Sequence, residues 1–220
     1  MTIYDQLLQF TLFQGMSRAD LMAVVTHTKL GFTKTAAGRL LVKENSPCHH
    51  LIFLISGTLL CETQSDDHSC RVVETVTAPY AVQPDRIFGP SQRYTSTFRT
   101  ATDSSFITID KQEVLLLLET QLVFRLNMLN LLAAESHRLR HQAWRSTPGS
   151  LRQRIVRLFF SRSSYLAGPK TFYILMQQIA TELNASRLDV SRALNAMQRE
   201  GLLTLHRGRI EIPAIERLLM

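Results

Sequence analysis

Residues 176–203, MQQIATELNASRLDVSRALNAMQREGLL, carry side chains of the kind and spacing that read a polyanion. Two helices that cross closely need small or apolar residues at the crossing and, between them, a residue that tolerates a left-handed backbone. Ile179, Ala180 and Leu183 supply the inner face of a first helix, and Val190, Ala193, Leu194 and Met197 that of a second. Asn184 falls at the turn, where Asn adopts a positive φ at less cost than most residues. The spacing predicts a helix-turn-helix with Ser186, Arg187, Asp189, Ser191 and Arg192 on or near the outward N-terminal half of the second helix. Ser186 is placed to cap that helix and to donate to a phosphate, at a helix end that itself attracts anions. Arg187 or Arg192 can reach guanine O6 and N7 in a major groove, a contact worth about 1–3 kcal/mol of base discrimination. Gln177, at the start of the first helix, is set to touch the flanking backbone. His206, Arg207 and Arg209 surround Gly208 between two short β runs, Leu202–His206 and Ile210–Ile212, and offer further backbone contacts as a wing does. The plainer reading is a pair of packed helices with arginines in water; the spacing, the wing and the local charge favour DNA.

Charge is distributed in the same sense. The chain has 220 residues and a formal net charge of +7. Residues 1–110 hold 9 basic and 10 acidic side chains, net −1; residues 111–146 hold 5 and 3, net +2; residues 147–220 hold 11 and 5, net +6. A near-neutral front and a basic back third predict that the back third meets the polyanion. No apolar run approaches the roughly 18–20 residues needed to span a bilayer, so no membrane partner is expected. The first ten residues carry an acid and no basic patch, which does not suit a signal peptide. Cys48, Cys61 and Cys70 cannot form a closed disulfide framework and none lies in a CxxC, which points to a reducing cytoplasm.

Other elements must position these side chains. Residues 3–30 read as amphipathic helix broken at Gly15, with Ser17-Arg18-Ala19-Asp20 as a capped first turn. From 31 to 110, short β-branched and aromatic runs recur about every ten residues: 40–42, 51–55, 58–63, 70–76, 98–100 and 106–109. That spacing predicts an all-β sandwich or barrel, with Asp66-Asp67 at a hairpin tip. Lys111–Glu119 reads as a short helix and Leu122–Trp144 as a long one of roughly 35 Å. Its heptad seam runs Leu122, Arg125, Leu129, Leu132, Ser136, Leu139 and Ala143. Such a stripe pairs with the same helix of a second copy, or else packs on its own β domain. Ser146-Thr147-Pro148-Gly149-Ser150 stops the helix and serves as a linker.

With these segments in order, the whole chain resembles the Crp/Fnr family of bacterial transcription regulators. The matching motifs are Leu51-Ile52-Phe53-Leu54-Ile55-Ser56-Gly57, Phe88-Gly89, and Ser186-Arg187 with Ser191-Arg192. The resemblance implies an α+β fold in three parts. These are a cyclic-nucleotide-binding-like β jelly roll over 1–110, a helical connector with a long dimerisation helix over 111–146, and a winged helix over 147–220. It also implies a homodimer on pseudopalindromic double-stranded DNA, with RNA polymerase as a further partner and no catalysis. Arg187 and Arg192 fall where the family places DNA-contacting arginines. Leu188 stands in place of an acidic residue that reads a base in some members.

The sensor half departs from the family pattern. Cyclic-nucleotide-binding members follow Phe-Gly with a Glu for the ribose and an Arg-Ser/Thr-Ala cassette for the cyclic phosphate. Here Pro90 stands at the Glu, and the Arg position falls on or near Tyr94 in FGPSQRYTST, with Arg93 one residue away. A buried phosphate without a cation is unfavourable, so cyclic AMP is not the expected effector. Phe88, Gly89, Arg93, Thr95 and Ser96 mark the pocket of an unknown small molecule, if the domain binds one. Three cysteines cannot hold a four-thiolate cluster. Cys48-His49-His50 invites haem or a metal, but neighbours on a strand point to opposite faces, so Cys48 is expected to line a small apolar site and no metal ligands are assigned. Haem sensing stays open as an alternative within the family. The rival from another class, a cupin-like metal enzyme, would need clustered His and Glu, and the seven histidines show no H-x-H pair with a nearby Glu. His137 and His141 are spaced i, i+4, which suits zinc, but they more often line a polar helix face.

Overall fold

The computed structural model describes residues 2–143 and 148–219, the side chains of 141–143 excepted. Contacts divide the chain into two compact units. One joins Met1–Leu59 with Thr77–Arg145, and the other joins Leu60–Val76 with Ser146–Met220.

In the first unit, α1 (Ile3–Leu7) and α2 (Arg18–His27) each begin at a reciprocal cap. Thr2 and Ser17 accept from the backbone N–H of Asp5 and Asp20, whose carboxylates reach back. The helical stretch expected over 3–30 is broken by a 3-10 turn at Thr11–Phe13 and by Gly15 at φ 80°. It ends at His27, because Leu30 already opens a strand. The strands up to residue 110 are β1 (Leu30–Thr35), β2 (Leu40–Val42), β3 (His50–Ser56), β4 (Thr58–Gln64), β5 (Arg71–Thr77), β6 (Tyr80–Val82), β7 (Thr97–Thr100) and β8 (Ser104–Asp110), of which β4 and β5 fall mostly within the Leu60–Val76 segment of the second unit. Strands β1 and β6 are additions to the six runs read from sequence. A four-stranded antiparallel sheet runs β1-β8-β3-β6, and β2 pairs with β7. Gly57 turns β3 into β4 at φ 98°, where any Cβ would lie within 2.6 Å of the Asp103 carbonyl oxygen. Only glycine fits there. The N-terminal fold is the expected jelly roll.

Two helices follow, α3 (Lys111–Thr120) and α4 (Leu122–Ala143). Phe124 and Met128 of α4 are buried, and the Phe124 ring lies 5.2 Å from that of Phe13, which in turn meets Phe53 at 5.6 Å with the rings tilted. Asn127 donates to the carbonyls of Leu12 and Gln14. Leu122, Leu129 and Leu139 lie exposed and Leu132 half-buried. Ala143's side chain, His141's, and Ser146 and Thr147 of the expected linker fall outside the described residues. Among the described residues no single helix is long and apolar enough to cross a membrane.

The second unit contains α5 (Leu151–Ser161), β9 (Lys170–Tyr173), α6 (Met176–Glu182), α7 (Arg187–Arg199), β10 (Thr204–His206) and β11 (Arg209–Ile212). Its sheet has the order β10-β11-β9-β5-β4, so the hairpin at 60–76 adds to the winged helix's own strands. The register is Arg71↔Tyr173, Val72↔Phe172, Val73↔Thr171 and Glu74↔Lys170. Cys70 and Val72 are buried in one core with Phe159, Phe172, Ile179, Leu194 and Ile210.

Candidate nucleic-acid interface

Packing of α6 on α7 follows the pattern expected. Ile179, Ala180, Val190, Leu194 and Met197 are buried, with Leu183 and Ala193 partly so. Asn184 adopts φ 46°, and the Ala185 N–H closes the turn on the Ala180 carbonyl at 2.9 Å. Ser186 is the N-cap of α7: its hydroxyl accepts from the Asp189 N–H at 3.0 Å and donates to the Asp189 carboxylate at 2.6 Å. Both Ser186 and Asp189 are therefore committed to shaping the helix start.

Arginines of α5 and of its C-cap brace this motif. Arg152 grips Glu200, just past the end of α7, with both of its terminal nitrogens, which raises the Arg152 pKa and lowers that of Glu200. Arg154 donates to the Leu183 carbonyl at 2.8 Å, and Arg162 donates to Glu182 at 2.8 Å. The net +6 of the back third is thus not all presented to solvent: Arg152, Arg154, Arg162 and the fully buried Lys170 are spent on internal partners.

What α7 leaves in water is a compact set. Arg187, Leu188, Asp189, Arg192 and Asn195 are exposed and Ser191 half-exposed, with the Arg192 side chain 71% accessible and 3.5 Å from Asp189. Gln177 is exposed at the start of α6. The wing is the β10–β11 hairpin with Arg207 exposed at its tip, and the Gly208 carbonyl accepts from the Ile174 N–H at 3.1 Å. His206 and Arg209 both turn to Glu211, at 3.4 and 3.2 Å. Two neighbours join this set beyond the residues expected to touch DNA. Leu188, singled out in the sequence only for replacing an acidic residue, is 59% exposed and stands i+3 and i+4 from Ser191 and Arg192. Arg71 lies in the strand row Arg71–Tyr173–Arg209–His206, stacked 4.0 Å over the Tyr173 ring and paired with Glu62. No local pattern pointed to it.

Two family models match the chain: the cyclic nucleotide-binding domain over residues 32–121 and the Crp-like helix-turn-helix domain over 153–220. The chain belongs to the Crp/Fnr family. It is a DNA-binding transcriptional regulator. Similar solved structures include the Thermus thermophilus catabolite activator protein, at 16% identity over 96% of both chains and a TM-score of 0.52. The sensor domain of the transcriptional regulator DNR from Pseudomonas aeruginosa matches at 19% identity, over 67% of this chain and 95% of that one, with a TM-score of 0.52. A Crp/Fnr-family regulator from Eubacterium rectale matches at 20% identity, over 96% and 97%, with a TM-score of 0.50. At such identities the likeness is one of fold. No curated protein matches the chain.

The sensor residues of this Crp/Fnr-family protein do not fit a cyclic phosphate. Tyr94, on or near which the resemblance puts the family's arginine, is buried and donates to the His50 carbonyl; burial pushes its phenol pKa up. Arg93 is exposed and donates to the Asn45 carbonyl at 2.6 Å, beside the Pro47↔Arg93 bridge. Gln83 closes on Thr95 and Ser96 through both ends of its amide. Phe88 lies under the Lys111 ammonium, 5.5 Å from the ring, and Lys111 also donates to Gln92; Gly89 is exposed. Cys48 is fully buried, but its thiol donates to the His50 carbonyl rather than lining a purely apolar site; burial raises its pKa, while His49 and His50 are exposed. Among the described residues no three His, Cys, Asp or Glu side chains converge as a metal site.

Proposed function

We propose that the protein is a homodimeric, sequence-specific regulator in which Arg187 and Arg192 read base edges from α7. Gln177, Ser191 and the wing residues His206, Arg207 and Arg209 hold the phosphate backbone, while Ser186 and Asp189 set the pitch of the helix start. The observation that carries the reading is the pair of guanidinium groups left in solvent on one end of a helix whose other face is fully packed. Arg187 and Arg192 stay hydrated at little cost, Arg192 beside an equally solvated Asp189 at 3.5 Å, and both remain available to a polyanion.

Leu122, Leu129, Leu132 and Leu139 of α4 form the seam between two copies. That Leu122, Leu129 and Leu139 stay exposed while Phe124 and Met128 of the same helix are buried supports this. Two copies then present their α7 helices to successive major grooves about 34 Å apart. The sensor half answers to a small molecule other than cyclic AMP, and a change there alters the α7 spacing through the 147–150 linker. The functional division into 1–110, 111–146 and 147–220, action in the cytoplasm and contact with RNA polymerase complete the reading.

The test is fluorescence anisotropy of the full chain on a mixed-sequence duplex across a salt series. A phosphate-driven contact predicts log K falling linearly with log salt, with a slope of about −0.9 per phosphate neutralised. No binding at low salt, or affinity indifferent to salt, would overturn the proposal.

A further inference from the structure

Glu74 and Lys170 lie 96 residues apart in the chain and face each other across the β5–β9 pair, 3.2 Å from oxygen to nitrogen, with both side chains fully excluded from solvent. Glu74 also accepts from the backbone N–H groups of Ser164 at 3.0 Å and Tyr165 at 3.1 Å, in the loop that leads from α5 into β9. Lys170 gives a second proton to the Ala167 carbonyl at 2.7 Å. One carboxylate therefore gathers the loop, the first residue of β9 and its own strand. On its other edge β9 carries β11, and the residue following it, Ile174, donates to Gly208 in the wing tip. A mechanical line runs Glu74, Lys170, β9, β11, wing. The strand that starts it lies inside the segment matched by the cyclic nucleotide-binding model, not the helix-turn-helix model.

We propose that Glu74 is a positioning residue for DNA binding: from the sensor-matched part of the sequence it fixes β9 and, through it, the placement of the wing. The physical reason is the cost of an unpaired charge. Removing the carboxylate leaves a buried ammonium with one carbonyl partner, which is strongly destabilising locally, whereas removing both charges together is often close to neutral. The sheet then loosens along β5 and β9, and the wing loses its register on the backbone of the DNA. Any event that draws on the 60–76 hairpin acts on the wing through the same strand.

This rests on the wing assignment proposed above, and a double-substitution cycle in the full chain separates the two. Arg207→Ala is predicted to weaken binding to a mixed-sequence duplex about fivefold in the unaltered protein, but less than about twofold in a Glu74→Gln background, because contacts in one coupled unit are not additive. Hydrogen exchange without DNA should show lost protection at 71–74 and 170–173 in Glu74→Gln. The pair Glu74→Gln with Lys170→Met removes the stranded charge while the Gln oxygen still accepts from the loop, and it should restore both the protection and the full Arg207 effect. A merely stabilising role for Glu74 would leave the Arg207 effect intact in the folded molecules. Additive losses, or unchanged exchange at 170–173, overturn the proposal and leave the DNA reading standing. If Arg207→Ala has no effect in the unaltered protein, the wing assignment fails and this proposal fails with it.

Discussion

The segments Ser186–Arg192 and Phe88–Ser96 are both short, polar and rich in hydrogen-bonding side chains, yet they use them in opposite ways. Along 186–192, Ser186 and Asp189 close on each other to start the helix, and the arginines on either side project into water. Along 88–96 the polar groups are taken up by partners within the fold: Arg93 by Asn45, Gln92 by Lys111 and Gly89, Tyr94 by His50, and Thr95 and Ser96 by Gln83. A surface made to meet a ligand leaves charge unspent, because a donor already satisfied within the fold must be released before it can bind anything. The first segment matches that description for a polyanion. The second does not match it for a cyclic phosphate.

The contrast depends on backbone as much as on side chains. Asn184 at φ 46° sets the angle at which α7 leaves α6, so the largest effect should come from forcing a β-branched residue there. Asn184→Val is expected to destabilise by about 1–3 kcal/mol, read by urea unfolding, and to weaken DNA binding at temperatures where the fold survives. Asn184→Gly should be close to neutral. A valine variant as stable as the parent would mean that the turn carries no strain and that the exposed face is not set by it. At the other end of the scale, cyclic AMP should do nothing. At 100 times a dissociation constant a ligand adds about 2.7 kcal/mol of stability, so millimolar cyclic AMP would visibly raise Tm if it bound with micromolar affinity. No shift is the expected result, and a rise of several degrees would show that the 88–96 segment opens to receive it.

Much of the reading unit was legible because its signals are local. A small Ala180 at the crossing, an Asn at the turn and a serine at the cap all act within a few residues, and each sits where the periodicity placed it. The missed pieces depend on distant partners. Of β1 only Leu30 lies in the stretch read as helix, while residues 31–35 lie in the β-rich region without forming a run of their own; pairing with β8 draws them into a strand. β6 is three residues long and shows no period. The union of the 60–76 hairpin with the winged helix left a fainter trace. On the buried face of β5 the residues read Val72, Glu74, Val76, and on β9 and beyond they read Lys170, Phe172, Ile174. In each an ionisable side chain occupies an inward position of period two, and two inward charges of opposite sign imply a partner. Their 96-residue separation hid the match. Likewise, the basic count of the back third did not tell that Arg152 and Arg154 of α5 and Arg162 at its C-cap are spent on Glu200, Leu183 and Glu182.

The central claim is that the α7 tip reads bases while the wing only grips the backbone. Binding of the full chain to a pool of randomised duplexes, sequenced after selection, tests it through Arg187→Ala and Arg207→Ala side by side. The account predicts that Arg187→Ala loses about 1–3 kcal/mol of discrimination at one position of each half-site, while Arg207→Ala weakens every sequence alike and leaves the preferred site unchanged. Equal loss of preference in both variants, or none in either, would contradict it.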